Sequence, residues 1–223
     1  MNRLKTGIPG FDGLVEGGIP EENLVLLSGP CGAGKTIFGL QFLLSTKENG
    51  IYVSFEEEIN QVKKAARLFG WDVDAAEKSG QIRFLKYDPF RMEDIIEMIE
   101  SSIREISATR MVIDSVSAIG MYVKDLPELR RMILQISGML RKNKCTSLLI
   151  SEVIAGKEAL SRFGVEEFVT DGVVLMKNFH TPSGYQRGMT VWKMRSTNHS
   201  RRIHPYEISK KGITVLASKS VKR

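Results

Sequence analysis

Only two cysteines, Cys31 and Cys145, occur in the 223 residues, and they stand far apart. Neither a disulfide framework nor a zinc cluster can be built from them, so both read as reduced thiols. No run approaches the ~18 consecutive apolar residues of a membrane span, and residues 1–10 lack the apolar core of a secretory signal. These absences lead us to expect a cytoplasmic protein without a membrane partner. Internal repeats and low-complexity linkers are missing as well. With 42% hydrophobic residues, the length suits one large domain over 1–223 better than two small ones. Acidic residues run out toward the C-terminal end. From residue 177 onward, eleven Lys or Arg face the single acid Glu207, which gives that segment +10 and the remainder −4 within a net charge of +6. Such an end can face the phosphates of a nucleotide, those of nucleic acid, or solvent alone. Residues 217–223 are expected to form a flexible basic tail.

Against these absences stands one dense motif. Gly29-Pro30-Cys31-Gly32-Ala33-Gly34-Lys35-Thr36 fits the pattern G-x-x-x-x-G-K-[ST]. Glycines without side chains let the backbone turn several N–H groups onto one oxyanion, and the helix that follows adds the positive end of its dipole. Lys35 supplies a mobile charge for the outer phosphates of ATP, and Thr36 a hydroxyl for Mg²⁺. With Ile37, the next helical residue, this stretch forms the expected nucleotide contact. A Gly-rich turn would match by chance in roughly one chain of this length in a hundred. Here residues 23–28 read as a short buried strand, and 36–47 carry apolar residues at 37, 40, 43 and 44, which is helical spacing. Strand, loop and helix stand in the order that the motif requires.

The alternation continues beyond the loop. Residues 51–55 are strand-like; Val62, Ala65, Ala66 and Phe69 have helical spacing; 82–85 form the next strand candidate. Met92, Ile95, Ile96, Ile99, Ile103 and Ile106 mark an amphipathic helix of about four turns. A buried strand is expected at 111–114, then a helix faced by Leu126, Leu129, Ile133, Ile136 and Leu140, then a strand at 146–151. This pattern predicts an α/β fold, a mostly parallel sheet flanked by helices on both faces. From Thr170 the signals become strands joined by turns, at 173–176, 189–195 and 212–216, with Pro182, Ser183 and Gly184 in a loop. Antiparallel strands added to the C-terminal edge of the sheet fit that change.

Hydrolysis needs more than a phosphate loop: a carboxylate that positions metal and a group that activates water. Asp114 ends an apolar run and so falls at the carboxyl edge of a buried strand, where open α/β sheets hold their ligands. We read it as positioning Mg²⁺, directly or through water. Glu56, Glu57 and Glu58 follow another strand; Glu58 suits the first turn of the next helix, while Glu56 and Glu57 are the catalytic candidates. In Trp192-Lys193-Met194-Arg195, period-two alternation predicts a basic face with Lys193 and Arg195 and an apolar face with Trp192 and Met194.

Taken in order and spacing, Thr6-Gly7-Ile8-Pro9-Gly10-Phe11-Asp12, the phosphate loop, Phe55-Glu56-Glu57, Phe69-Gly70-Trp71-Asp72, Ile113-Asp114-Ser115, Ser151-Glu152, the stretch from Val165 to Gly172 and Lys193-Met194-Arg195-Ser196-Thr197-Asn198-His199 form a set. The chain resembles the KaiC-like branch of the RecA superfamily of ATPases over nearly its whole length. That resemblance implies a RecA-like P-loop core with ATP between adjacent subunits of a homo-oligomeric ring, commonly a hexamer. It implies that Glu56 and Glu57 activate the attacking water, that Lys193 and Arg195 reach the neighbour's γ-phosphate, and that His199 and Arg201 contact the nucleotide from the same side. The clock members of this branch have two tandem domains; the single domain expected here argues against carrying clock function over.

Two functions compete at this point. One is a slow, Mg²⁺-dependent ATPase acting as a regulatory or signalling switch with a protein partner. The other is a DNA-binding recombination or repair accessory ATPase. The basic end favours the second, as do two candidate central loops at 153–165 and 178–188. Lys157, Arg162, Arg187, Phe179 and Tyr185 give them a thin platform for stacking and phosphate contact, so nucleic acid is the less favoured partner.

Overall fold

A computed structural model describes residues 1–89, 92–154, 156–181 and 184–219, with the backbone alone given at Met92, Glu93 and Thr181. Short strands β1 (Arg3–Leu4) and β2 (Ile19–Pro20) pair as a separate ribbon. The large sheet has nine strands among the described residues. Across it run β11 (Gly212–Val215), β10 (His204–Ser209), β9 (Gly184–Met194), β8 (Gly172–Thr181), β3 (Leu24–Gly29), β7 (Thr146–Glu152), β6 (Arg110–Asp114), β4 (Gly50–Ser54) and β5 (Ile82–Lys86). From β8 to β5 every neighbour is parallel, while β9, β10 and β11 are added antiparallel at one edge. The expected mostly parallel sheet with antiparallel additions is therefore what the chain forms.

The central strands are buried because their runs are apolar without alternation, as in Leu24-Val25-Leu26-Leu27 and Met111-Val112-Ile113. Each face of the sheet carries its own core. On one, α1 (Lys35–Leu44), α2 (Ile59–Leu68) and α3 (Val73–Lys78) bring Phe38, Phe42 and Val62 against Phe11 and Val112. On the other, α4 (Met92–Ile106), α5 (Val116–Gly120) and α6 (Leu126–Lys142) bring Ile99, Ile103, Ile133 and Ile136 against Leu26 and Leu149. Each such side chain contributes about 1.5–3 kcal/mol by leaving water. A single turn, α7 (Glu166–Val169), precedes β8.

Register decides where chemistry collects. Ser54 pairs with Asp114 across β4 and β6, and Gly29 with Glu152 across β3 and β7. Four parallel strands thus end at one edge, each delivering a polar or loop-forming residue there.

Three expectations need correction. Residues 178–181 and 184–188 are strand, not loop: Asn178 pairs with Arg187, Phe179 with Gln186 and His180 with Tyr185, so β8 and β9 stay paired as far as Thr181 and Gly184. Trp192 and Met194 do not share a face. Val174 pairs with Val191 and Val173 with Lys193, which leaves Trp192 as the extra residue of a β-bulge; Trp192 is exposed and Met194 buried. Nor is the expected tail free from its start, since Lys219 N–H donates to Leu216 O and Lys219 O meets His204 Nδ1 at 3.2 Å. Residues 220–223 of that tail, and 182–183 of the expected turn, lie outside the described residues.

Candidate nucleotide-binding site

The phosphate loop joins β3 to α1, as the motif requires. Gly34 caps α1 with φ +93°, in the left-handed region that favours glycine. A Cβ there would also stand 2.7 Å from Ile208 Cδ1, so β10 closes the back of the loop. Tyr206, also on β10, donates its hydroxyl to Ala33 O at 2.7 Å. The Ala33 carbonyl thus ties the loop to β10.

Lys35 Nζ donates to Gly29 O at 2.9 Å and Pro30 O at 3.0 Å, so the ammonium lies folded over its own loop. Burial pulls its pKa below the ordinary lysine value, and the carboxylates of Glu152 and Asp114 oppose the shift. Thr36 Oγ1 and Tyr52 OH both donate to Asp114 Oδ2, at 2.9 and 2.5 Å. Burial raises the pKa of Asp114, partly offset by those two hydrogen bonds. Burial likewise lifts the Tyr52 phenol well above its usual value, with the Asp114 charge adding to it. The next residue, Ser115, caps α5 by accepting Ala118 N–H, which leaves Asp114 free of that helix-capping duty.

Beyond β4, Glu56 and Glu57 are both exposed at the cleft. Ser115 Oγ donates to Glu56 Oε2 at 3.2 Å, and Ser54 Oγ to Glu57 O at 2.6 Å, fixing the turn that carries them. A cavity of about 290 Å³ opens between these groups, lined by Cys31, Gly32, Gly34, Lys35, Thr36, Ile37, Ser54, Glu56, Glu57, Asp114 and Glu152. The chain thereby gathers the loop, the hydroxyl, the strand-end aspartate and both glutamates in one place. Glu152, Tyr52 and Ser54 were given no site role by the sequence reading. Glu152 ends a buried strand just as Asp114 does, but that position alone does not separate it from a solvated glutamate.

Lys193 and Arg195 lie elsewhere. Lys193 pairs with Val173, which pairs with Leu26, three residues before Gly29. That is about 10 Å back along the strand from this chain's own loop. Lys193 Nζ donates to Glu167 O and Thr170 O at 2.8 and 2.6 Å, closing the C-terminal end of α7. Burial lowers its pKa, and nearby Arg195 lowers it further. Buried Asp171 accepts from Arg195 Nη1 at 3.1 Å and from Arg141 Nη2 at 3.2 Å. His199 Nδ1 lies 3.0 Å from Ser200 O, and Arg201 is exposed.

A parallel sheet whose central strand runs into a Gly-rich loop and helix, with a strand-end aspartate bonded to the loop threonine, defines a RecA-like P-loop protein. The family model described as ATPase: KaiC matches residues 4–220. A UPF0273 protein of Pyrococcus horikoshii is 39% identical, the alignment covering 99% of this chain and 96% of that one. The circadian clock protein KaiC3 of Synechocystis is 34% identical over 97% of this chain but only 46% of its own length. The crystal structure of a KaiC-like protein from P. horikoshii superposes with a TM-score of 0.89 at 36% identity, covering 96% of this chain and 98% of that one. The chain belongs to the KaiC-like ATPase family.

Proposed function

We propose that this protein binds ATP with Mg²⁺ and hydrolyses it slowly, as a switch whose nucleotide state sets its assembly or its partner. The observation that carries the reading is the convergence of Lys35, the Thr36–Asp114 pair and the Glu56–Glu57 turn on one cleft. Lys35 would leave Gly29 O and Pro30 O for the outer phosphates. Thr36 and Asp114 offer a hydroxyl and a carboxylate oxygen, hard donors that suit Mg²⁺ beside phosphate oxygens and waters; the ion would supply charge neutralisation at those phosphates. Glu57, helped by Glu56, would take a proton from the attacking water as its oxygen bonds to the γ-phosphorus and the bond to the β–γ bridging oxygen breaks, giving ADP and phosphate. The second cleft, of about 580 Å³ and lined by Tyr185, Arg187, Tyr206 and Ile208, adjoins the loop through Tyr206 and suits the base and ribose.

In this reading Lys193 and Arg195, remote from the chain's own loop, serve the next copy of a homo-oligomeric ring, which we take as a hexamer. His199 and Arg201 face the nucleotide from that same side. Charge delivered by a neighbour stabilises the transition state and ties turnover to assembly. Arg195→Ala is expected to lower turnover while the protein stays folded, since buried Asp171 keeps Arg141 and the Leu24 N–H as partners; a variant that hydrolyses at the wild-type rate would remove the cross-copy role.

The first test is steady-state ATP hydrolysis with and without single-stranded DNA, with Lys35→Ala as the blank. Turnover indifferent to DNA supports the switch. Strong stimulation by DNA favours the recombination accessory, and a rate no higher than the blank refutes hydrolysis.

A further inference from the structure

A fully buried carboxylate stands outside the nucleotide cleft. Glu166, the first residue of α7, is 0% exposed. Its Oε1 accepts from Ser151 Oγ at 3.0 Å and Phe163 N–H at 3.4 Å; its Oε2 accepts from Ser161 Oγ at 2.7 Å and Val165 N–H at 3.1 Å. These are neutral donors, the costly way to hold a charge away from water, and an arrangement that a core leucine would replace if filling space were the only need. Ser161 also contacts the carboxylate of Glu167 and accepts Gly164 N–H, so the segment after β7 is folded back onto this one group.

The placement of Glu166 suggests what the hub does. Ser151 is the residue before Glu152, which lines this chain's own cleft. At its other end, α7 presents Glu167 O and Thr170 O to Lys193 Nζ, occupying two of its three N–H donors and leaving one for an incoming phosphate oxygen. Thr170 N–H and Oγ1 both return to Glu166 O, which makes the turn stiff. Asp171, directly after it, holds Arg195. A short hydrogen-bonded path therefore leads from the nucleotide edge of one copy to the two cations assigned to the next.

We infer that Glu166 is a positioning residue that mounts Lys193 and Arg195 for the neighbouring copy's site, with its own end anchored beside Glu152. This rests on the cross-copy reading above. Displacing a transition-state cation by about 1 Å costs on the order of 100-fold in rate, so loosening the mount without removing it is expected to lower kcat about tenfold with KM for ATP unchanged. Glu166→Gln keeps the size of the side chain but places an NH₂ where a backbone N–H needs an acceptor. Ser161→Ala, which is gentler, serves if that variant does not fold. Amide exchange at Phe163 and Val165 is expected to speed up in both.

Mixing separates the mount from plain structural support. Lys35→Ala copies have a dead site and intact cations, so adding them in excess to Glu166→Gln copies gives each live site a sound neighbour. Turnover per Glu166→Gln chain is then expected to return toward the wild-type rate, and a parallel mixture of Lys193→Ala with Lys35→Ala is expected to do the same. Recovery with Lys193→Ala but not with Glu166→Gln overturns the inference alone. Recovery with neither overturns the cross-copy reading and the inference with it. Wild-type turnover by Glu166→Gln without any mixing also refutes it.

Discussion

At the end of β6, Asp114 takes two hydrogen bonds on one oxygen while burial raises its pKa. A carboxyl whose folded value lies above its unfolded one makes the folded state hold the extra proton. Its stabilising contribution is full below the ordinary carboxylate range and is lost as pH rises through the raised value. Above that raised value the ligand-free protein carries a dehydrated charge suited to a cation. Asp114→Asn keeps an oxygen for Thr36 and Tyr52 and removes that charge. Thermal unfolding without nucleotide is expected to show the variant melting higher at pH above the raised Asp114 value, with the gap closing as pH falls through it, while hydrolysis is lost. Such a trade of stability against activity is common at functional sites. Glu57→Gln follows another logic: its group is exposed, so folding and ATP binding are expected to stay as they are, while single-turnover hydrolysis falls about 100-fold or more, the range of a lost general base. Wild-type turnover by this variant would remove Glu57 from the mechanism.

Among the elements, α5 and the segment after β7 are keyed together by Gly120. A Cβ at that position would stand 2.2 Å from the Phe163 ring, so Gly120→Ala forces the ring away. Overpacking of this kind costs about 1–3 kcal/mol, which urea unfolding is expected to register as a lower midpoint with an unchanged slope. The sequence made the βα alternation legible because β3, β6 and β7 each hold an unbroken run of three or four apolar residues and α4 and α6 carry long period-3.6 stripes. It also pointed to the loop, Asp114 and the glutamates, since each follows such a strand. What it hid has physical causes. The bulge at Trp192 breaks period two by one residue, a choice made by pairing with β8 that composition does not reveal. β10 contains Pro205 and a buried His204, and its Tyr206 donates to Ala33 O at 2.7 Å, so its burial comes from contacts distant in sequence. A one-turn helix such as α7 is too short to show a period. Glu152 went unassigned because a lone strand-end glutamate looks the same as a solvated one.

For the whole molecule, the question is what covers Phe168 and Trp192, which stand 63% and 58% exposed on the side that carries Lys193. In the proposed ring they meet the next copy. Phe168→Asp combined with Trp192→Ser is expected to leave a folded chain that sediments as a monomer in the presence of ATP, where the wild type assembles. If the double variant still assembles, contact between copies lies on another face. Among the described residues no helix is long and apolar enough to cross a membrane.

The last strands also bear on how the chain is made. Gln41 of α1 brackets Ile213 through both its N–H and its carbonyl, Val215 N–H reaches Pro9 O, and Tyr206 and Ile208 back the phosphate loop. A chain emerging from the ribosome presents residues 29–36 well before residues 204–215, which support them. The nascent protein therefore cannot firmly grip a nucleotide until β10 and β11 have been made, and one cut short before β10 would leave the loop without its backing.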